Sequence, residues 1–497
     1  MSKFLVFFFA LFASAMAFCQ VERGVAFEGP LSQLAKEENK GTKFEHSSIY
    51  PLSPGLDTAL IKYSTDSTFF KNPKAIKLAP SSHLIGAWAG EEPMGILGLG
   101  VNGKGKISER IGYRFNASMY AAEMPDYLGS DSAFVIPGVG TTLDNTSPHL
   151  APYLTGALYA KLGDHFSIEG GRDKHFWGDG FRSNVLSHNA APFPYVRLTT
   201  KVWKVKYVNL WGVQTDVSRG LDESRRRKFT TMHMVSFNLH KRLNIQLFEA
   251  VVYQDRDTLS SRNVDLNYLN PIIFYRPVEF AQGSADNALL GAGFKYRIRN
   301  DWQLYGQVYF DEFLLFELRR RLGWWGNKFA IQIGAKKWDV LPGLNGLTEF
   351  NLARPYTYTH GSVFQAYGHL NQVLSHPLET NFVEWINHWT YQQRGWDLSL
   401  TYMWAIYGRD TQEENFGGNV FRSYANPARQ YDNYLAQGLK STVHFARIRA
   451  QKPIAKANIN AFLELGYRYE SNDRGSNNLP IVQVGLVSNL NHLPTMR

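Results

Sequence analysis

A polar and aromatic stretch at residues 170–211 carries the side chains whose types most directly suggest chemistry. In it, Arg172, Asp173 and Lys174 follow two glycines and precede Trp177. A hydrophobic core does not accommodate three neighbouring charges, because each buried charge needs a partner or costs several kcal/mol. A water-filled, charge-lined lumen does accommodate them. We therefore expect these residues to lie inside a barrel or at its rim.

Further candidates for the same lumen or rim have polar or aromatic side chains. They are Asn189, Asp286, Asn287, Asp311, Glu312, Arg354 and Tyr356. In a binding interpretation, the charged groups hydrogen-bond sugar hydroxyls and uronic carboxylates, while Trp177 and Tyr356 stack on sugar faces. In a structural interpretation, the charges form a network that braces a plug against the barrel wall. The residues alone leave both interpretations open.

Two basic clusters accompany loop-like stretches. The first comprises Arg225, Arg226 and Arg227, and the second comprises Arg319, Arg320 and Arg321. They are interpreted either as solvated loop ends that face anionic lipid head groups or as sites that capture an acidic polysaccharide by charge.

Enzymatic and metal-binding signals are weak. Asp311 and Glu312 are two adjacent carboxylates, but neighbours on a strand point to opposite faces and do not form a hydrolytic pair. Ser187 and His188 lack the Gly-x-Ser-x-Gly turn that exposes a nucleophile. The histidines are scattered and show no metal-ligand spacing. The sequence predicts a protein without catalytic activity, metal or cofactor.

The N-terminus predicts export. Lys3 and a following apolar run form a secretory signal at residues 1–20 that is too short to span a bilayer as a helix. Cys19 is the only cysteine, so the exported chain is predicted to lack disulfides and thiol chemistry. The net charge of +10 favours anionic lipid or polysaccharide as partners, and export argues against nucleic acid.

Alternation of apolar and polar residues at period two dominates the chain from about residue 81. Leu463, Leu465 and Tyr467 share one face of a strand, whereas Glu464 and Arg468 share the other. Many segments of this kind are long enough to cross a bilayer when tilted. The pattern predicts an all-β fold, a transmembrane antiparallel barrel of roughly 16–18 strands in the outer membrane. We expect a partly helical periplasmic segment at 21–80 and the barrel at 81–497. A soluble β-sandwich is the alternative.

The order of several motifs resembles the capsule-assembly Wzi family of outer-membrane proteins. The motifs include 170–174, 186–192, 270–276, 284–287 and 354–358. The resemblance implies an occluded barrel that anchors capsular or exported polysaccharide in a lectin-like manner. It also extends to the gliding-motility-associated branch from Bacteroidetes.

Polysaccharide binding without catalysis is the expected function. A component of gliding motility or adhesin display is the first alternative, and an outer-membrane hydrolase is the second. A passive porin is a further alternative that needs an open lumen, whereas the abundance of inward Arg, Tyr, Phe and Glu favours a filled one. The expected partners are surface polysaccharide, outer-membrane lipid and lipopolysaccharide, with motility or secretion proteins under the first alternative.

Overall fold

The computed structural model describes residues 46–53, 56, 77–90, 92–123, 135–143, 147–217, 226–255, 265–271, 286–454 and 459–488. The strands are β1 Ile49–Tyr50, β2 Lys77–Ala89, β3 Glu92–Lys106, β4 Ile111–Glu123, β5 Val135–Ile136, β6 Gly140–Thr141, β7 His149–Lys161, β8 Phe166–Asp173, β9 Phe176–Trp177, β10 Phe193–Val202, β11 Val205–Asp216, β12 Arg226–His240, β13 Leu243–Gln254, β14 Asn287–Arg299, β15 Trp302–Phe310, β16 Phe329–Leu341, β17 Leu344–Ala353, β18 Gly368–His369, β19 Gln372–Val373, β20 Phe382–Gln393, β21 Trp396–Arg409, β22 Leu439–Ile454, β23 Ile459–Asn472 and β24 Gly475–Val487. The helical segments are α1 Leu315–Arg320 and the 3₁₀ turns Leu266–Leu269 and Val363–Gln365. None of the helices in these ranges is long and apolar enough to span a membrane.

Eighteen of the strands form one closed antiparallel barrel. The strands pair with their neighbours in chain order, and the ring closes where β2 pairs with β24, with His83 opposite Val487. The six short strands pair among themselves, as β1–β9, β5–β6 and β18–β19. Closure removes free sheet edges, which a sheet in a bilayer must avoid. The prediction of an outer-membrane β-barrel is confirmed.

The two faces of the wall follow the sequence alternation. On β23, Leu463, Leu465 and Tyr467 are exposed by 46%, 51% and 48%, whereas Glu464 and Arg468 are buried. The other long strands repeat this arrangement, with apolar side chains outside and polar ones inside. An apolar exterior around a polar interior is the inverse of a soluble protein and is typical of a barrel surrounded by lipid.

The two ends of the barrel differ in their connections. Among the described residues, short turns at 107–110, 162–165, 203–204, 241–242, 300–301, 342–343 and 394–395 lie at one end, together with the start of β2 and the end of β24. The long described connections at 174–192, 311–328, 354–381 and 410–438 lie at the other, with the short turn at 473–474. Bacterial barrels place short turns in the periplasm and long loops outside, so the long connections are assigned to the outer end.

The described part of the N-terminal region lies inside the barrel. His46 contacts Ser236 of β12 at 2.8 Å, and Ser47 accepts a hydrogen bond from Lys295 of β14 at 2.9 Å. Arg197 of β10 donates to the carbonyl of Pro51. Most of the predicted periplasmic segment at 21–80 lies outside the described residues, and β2 already begins at Lys77. Residues 46–53 therefore belong to the filling of the lumen.

The wall is shortened at β8 and β10. β8 ends at Asp173 opposite Phe193, whereas β7 continues towards the outer end through Leu154 to His149. Arg172 donates to the carbonyl oxygen of Leu154 on this uncovered edge. The carbonyl of a strand residue without a strand neighbour needs such a donor. Because the wall stops here, the chain turns from it into the lumen.

Two adjacent glycines at this point give a prediction about stability. A side chain on Gly171 would overlap the carbonyl oxygen of Gly156 on β7, whereas the nearest atom to a Cβ on Gly170 is 3.9 Å away. We expect Gly171→Ala to lower the free energy of unfolding by about 1–3 kcal/mol because backbone must move. Gly170→Ala is the matched control and should change it little. Urea titration of the detergent-solubilised barrel measures both, and equal effects would contradict the prediction.

Candidate functional site

The connection between β8 and β10 crosses the lumen. We call residues 174–192 the crossing loop. It leaves the wall at β8 and reaches β17 and β20, which lie about halfway round the ring of strands. A loop in this position divides the lumen into two parts, one lined by β10–β17 and the other by β20–β24, β2–β4 and β7.

One buried carboxylate holds the far end of the crossing loop. Glu349 of β17 accepts hydrogen bonds from the backbone N–H groups of Phe181 at 2.6 Å and Arg182 at 3.0 Å. It also accepts from the hydroxyl of Tyr305 at 2.7 Å and the amide of Asn351 at 2.8 Å. Four donors satisfy a carboxylate that is only 1% exposed. Burial of a charge is tolerated where its hydrogen bonds are complete.

A second carboxylate joins the crossing loop to the N-terminal segment and the wall. Asp179 accepts from the hydroxyl of Ser48 at 2.7 Å and from the amide of Gln246 on β13 at 3.0 Å. The ammonium group of Lys295 on β14 lies 3.5 Å from it. Residues far apart in sequence thus meet at one charged point, which fixes the middle of the loop.

The outer connection between β17 and β20 is hydrogen-bonded to the crossing loop. The hydroxyl of Tyr358 donates to the carbonyl of Asn184 at 2.9 Å, and that of Tyr367 donates to the carbonyl of Val185 at 2.8 Å. Lys228 of β12 donates to the carbonyl of Ala366. The β10–β17 part of the lumen is consequently filled with packed chain.

The other part of the lumen carries an arginine column, defined as Arg447 and Arg449 on β22 and Arg468 on β23. Glu464 lies 3.7 Å from the guanidinium of Arg447 and 3.6 Å from that of Arg449. Arg468 pairs with Glu470 at 2.7 Å. Each of the three guanidinium groups thus lies within 4 Å of one of two carboxylates.

The crossing loop contributes a fourth arginine on this side. Arg182 lies 3.4 Å from Glu384 of β20 and contacts the sulfur of Met403 on β21, the strand next to β22. Its side chain is 17% exposed, and that of Arg449 is 12% exposed. By contrast, Arg197 and Lys228 in the filled part are 1% exposed. The guanidinium-bearing side chains of the column are 7–12% exposed. They share this part of the wall with a buried apolar cluster that includes Met403, Phe445 and Ile481.

The charged and amide candidates from residues 170–211 form ion pairs with the wall or donate hydrogen bonds to backbone carbonyls. Asp173 pairs with Arg114 at 2.9 Å, and Lys174 donates to the carbonyl of His188. Arg172 holds the edge of β7 as described above. Asn189 donates to the carbonyl of Val373 at 2.9 Å. These contacts match the bracing interpretation of the charges.

The two aromatic candidates for sugar stacking are fully buried. Trp177 is 0% exposed and pairs with Ile49 in the β1–β9 ladder. Tyr356 is also 0% exposed, and its hydroxyl donates to the carbonyl of Asn415 at 2.6 Å. Rings packed in this way offer no face to a ligand, so the stacking role expected for them does not agree with the structure.

The remaining candidates lie at the outer ends of strands. Asp286 accepts from the hydroxyl of Tyr268 at 2.8 Å and from the amide of Gln365, while Asn287 donates to the carbonyl of Gln365. Arg354 donates to the carbonyl of Trp324. These residues connect the wall to the outer loops.

The structure brings the carboxylates of Asp311 and Glu312 to one cation, because β15 ends at Phe310 and neither residue lies on a regular strand. They lie 3.3 Å and 3.4 Å from the ammonium group of Lys328 and form ion pairs with it. The hydroxyl of Ser187 donates to the carbonyl of Ser375, and the ring of His188 stacks on Phe176. Among the residues that the structure describes, no group of three or more metal-ligating side chains is present.

Asp311 gives a prediction about pH. Burial raises the pKa of this carboxyl from 3.8 to about 6, although Lys328 opposes the shift. A carboxyl with a raised pKa adds stability below its ordinary pKa and loses it as the pH rises through about 6. We expect this loss to reach roughly 2 kcal/mol between pH 4 and pH 7, and Asp311→Asn to remove it.

Unfolding by urea at several pH values measures this contribution. Glu413→Gln, at an exposed outer-loop carboxylate, serves as the control and should keep the wild-type dependence. Parallel pH profiles for the wild type and Asp311→Asn would contradict the prediction.

The two basic clusters have different positions. Arg225 lies outside the described residues, Arg226 begins β12, and Arg227 is exposed beside it. Arg319 and Arg320 end α1, and Arg321 follows with its backbone in the left-handed region. All three of the second cluster are exposed at the outer end.

The crossing-loop anchors and the arginine column are functional residues that the sequence motifs do not include. The alternation does place Arg447, Arg449 and Arg468 on the polar faces of their strands. Glu349 lies 168 residues from Phe181 and occupies an ordinary strand position. No sequence feature identifies it as the acceptor of the loop.

Comparisons with known proteins begin with two negative results: no protein-family model matches the chain, and no curated protein matches its sequence. Solved structures with a similar shape include OprD of Pseudomonas aeruginosa, with 9% identity, a TM-score of 0.46, and coverage of 83% of this chain and 94% of that one. OpdK of Pseudomonas aeruginosa with vanillate has 8% identity, a TM-score of 0.47 and coverage of 83% and 97%. A BenF-like porin from Pseudomonas fluorescens Pf-5 has 9% identity, a TM-score of 0.44 and coverage of 83% and 99%.

These findings correct the resemblance drawn from the sequence motifs. Membership of the Wzi family is wrong, because no family model matches and the similar solved structures are porins. The polysaccharide-binding function inferred from it is wrong with it, and the burial of Trp177 and Tyr356 gives the physical reason. The similarities are too distant to assign another family. The strand pairing and the two faces of the wall show that the chain is an eighteen-stranded β-barrel of the outer membrane.

Proposed function

We propose that the protein is a non-catalytic channel that passes small anionic solutes across the outer membrane. The observation that carries this proposal is the arginine column, which lines the part of the lumen that the crossing loop separates from β10–β17. Barrels of sixteen to eighteen strands are wide enough for an aqueous channel. Here the crossing loop and the N-terminal segment occupy one part of that width, so the proposed route is narrow and lies along β20–β24.

The charges along this route support anions as the solutes. Arg182 and the arginine column line it, with Glu384, Glu464 and Glu470 as ion-pair partners. Positive side chains with restricted exposure raise the local concentration of anions and oppose cations. The ring of Phe462 lies 3.9 Å from the guanidinium of Arg449 and holds it in place. Fixed guanidinium groups present paired donors that fit carboxylates and phosphates.

Planar-bilayer recording tests the proposal. The purified barrel, inserted between chambers of unequal potassium chloride concentration, should conduct and give a zero-current potential of the sign for chloride selectivity. Uptake of small carboxylates into vesicles that contain the protein should exceed uptake of amines of the same size. A folded barrel that conducts nothing, or that prefers cations, would refute the proposal.

A further inference from the structure

The connection between β15 and β16 carries an exposed apolar segment at the outer end. We call the side chains of Phe313, Leu314, Leu315, Phe316, Leu318 and Leu322 the loop patch. Their exposed fractions range from 37% for Phe313 to 69% for Phe316. None of them lies on the barrel wall, and α1 contributes no buried residue. An exposed apolar surface of this kind marks a contact with another apolar phase.

The loop patch continues the lipid-facing surface of the barrel. Phe310, the last residue of β15, lies on the outward face of its strand, two residues beyond Val308. The ring of Phe313 packs against the ring of Phe310 with 5.0 Å between centroids. The patch therefore starts on the outer wall, where the barrel leaves the acyl chains. This continuity favours lipid over a soluble protein as its occupant.

Three arginines follow the apolar side chains directly. Arg320 pairs with Glu317 at 3.1 Å and lies over the rings of Phe316 and Tyr431. Arg319 and Arg321 flank it and are exposed. One glutamate stands against three arginines from Phe313 to Leu322, so the segment is basic.

We propose that this segment is an interfacial anchor that binds phosphate-bearing lipid in the outer leaflet. The loop patch enters the upper acyl region, and the guanidinium groups of Arg319 and Arg321 bind the phosphates of lipid head groups. Apolar side chains beside arginines are the combination that holds a peptide at an anionic membrane surface. Arginine forms paired, charge-assisted hydrogen bonds with phosphate oxygens. This site is separate from the proposed solute route and does not depend on it.

Insertion of the loop patch is measured by a dye at one position. Cys19 is the only cysteine, so a Cys19→Ser chain with Phe316→Cys carries a single thiol for an environment-sensitive fluorophore. In vesicles that contain lipid A and brominated acyl chains, we expect about twofold or greater quenching at this position, because the dye lies among the chains. Glu413→Cys, in an exposed part of another outer loop, is the matched control and should show little quenching. Equal, weak quenching at both positions would overturn the proposal.

Recognition of the phosphate is measured separately. Arg319→Gln/Arg321→Gln removes two charges and keeps the pair of Arg320 with Glu317. Native mass spectrometry measures how much lipid A stays bound to the detergent-purified barrel. We expect the double variant to retain about tenfold less lipid A than the wild type, or less still. Lys241→Gln/Arg394→Gln removes two exposed charges from turns at the periplasmic end and should leave retention unchanged.

Two outcomes of the retention experiment would overturn the proposal. One is equal retention by the two double variants, each confirmed as folded by its heat-dependent gel shift. The other is equal retention of lipid A and a zwitterionic lipid by the wild type. In the dye experiment, quenching that does not depend on lipid phosphate and that a bound protein prevents would also overturn the proposal. That result would identify a protein as the partner of the loop patch.

Discussion

Glu349→Ala is expected to raise the single-channel conductance of the barrel several-fold. The substitution leaves two backbone N–H groups of the crossing loop, those of Phe181 and Arg182, without their acceptor on the wall. At a cost of about 1 kcal/mol or more for each, the hold on the loop weakens by about 2 kcal/mol. A change of this size shifts a two-state equilibrium between a held and a released loop by about thirtyfold. Release of the loop removes the division of the lumen and widens the route.

Two further variants make this experiment specific. Glu349→Gln keeps one carbonyl oxygen as an acceptor and should give an intermediate conductance. Glu413→Ala removes an exposed carboxylate from an outer loop and should leave the conductance at the wild-type value. If Glu349→Ala forms a folded barrel with unchanged conductance, the crossing loop does not narrow the route. The position proposed for the channel would then be wrong.

The barrel itself could be predicted from the sequence because lipid and lumen select opposite side chains on every strand. Leu463 and Leu465 face lipid and alternate with Glu464, which faces the lumen. The periodicity of two is local, so it does not depend on which strands become neighbours. The fold class and the range for the number of strands depended only on this local signal.

The filling of the lumen could not be predicted in the same way. Inward side chains look alike in sequence whether they face water or a packed loop. Glu349 and Glu464 both occupy inward positions of strands, yet the first binds the backbone of a loop and the second pairs with two arginines. Ser48 and Gln246 lie 198 residues apart, and only the closed barrel brings them together. Long-range contacts of this kind leave no periodic trace.

The interpretation of the aromatic candidates failed for a related reason. Trp177 stands among charges in the sequence, and that neighbourhood suggested an accessible ring. In the structure, the charged neighbours turn to the wall and to backbone carbonyls, while the indole packs against Ile49 and Phe248. A charged residue next to an aromatic residue in the sequence therefore does not indicate that the aromatic ring is exposed to solvent. The bracing interpretation of Arg172, Asp173 and Lys174 agrees better with their contacts.

Arg447→Gln/Arg449→Gln is expected to shift the zero-current potential of the channel strongly towards cation selectivity. The double substitution removes two positive charges from the arginine column and leaves Glu464 with no guanidinium at 3.6–3.7 Å. The sign of the local potential along the route then changes, and a few charges at a narrow point dominate selectivity. The measurement is the zero-current potential in a potassium chloride gradient, compared with the wild type.

The control for this experiment separates the local field from the total charge. Lys241→Gln/Arg394→Gln removes the same two charges from exposed turns at the periplasmic end, outside the lumen. Salt screens exposed charges over about 10 Å, so these turns should affect the potential little. Adding Glu464→Gln to the column variant restores local neutrality and should return the potential part of the way. Equal shifts in the two double variants would mean that net charge, and not the arginine column, sets the preference for anions, and the proposed route along β22 and β23 would lose its basis.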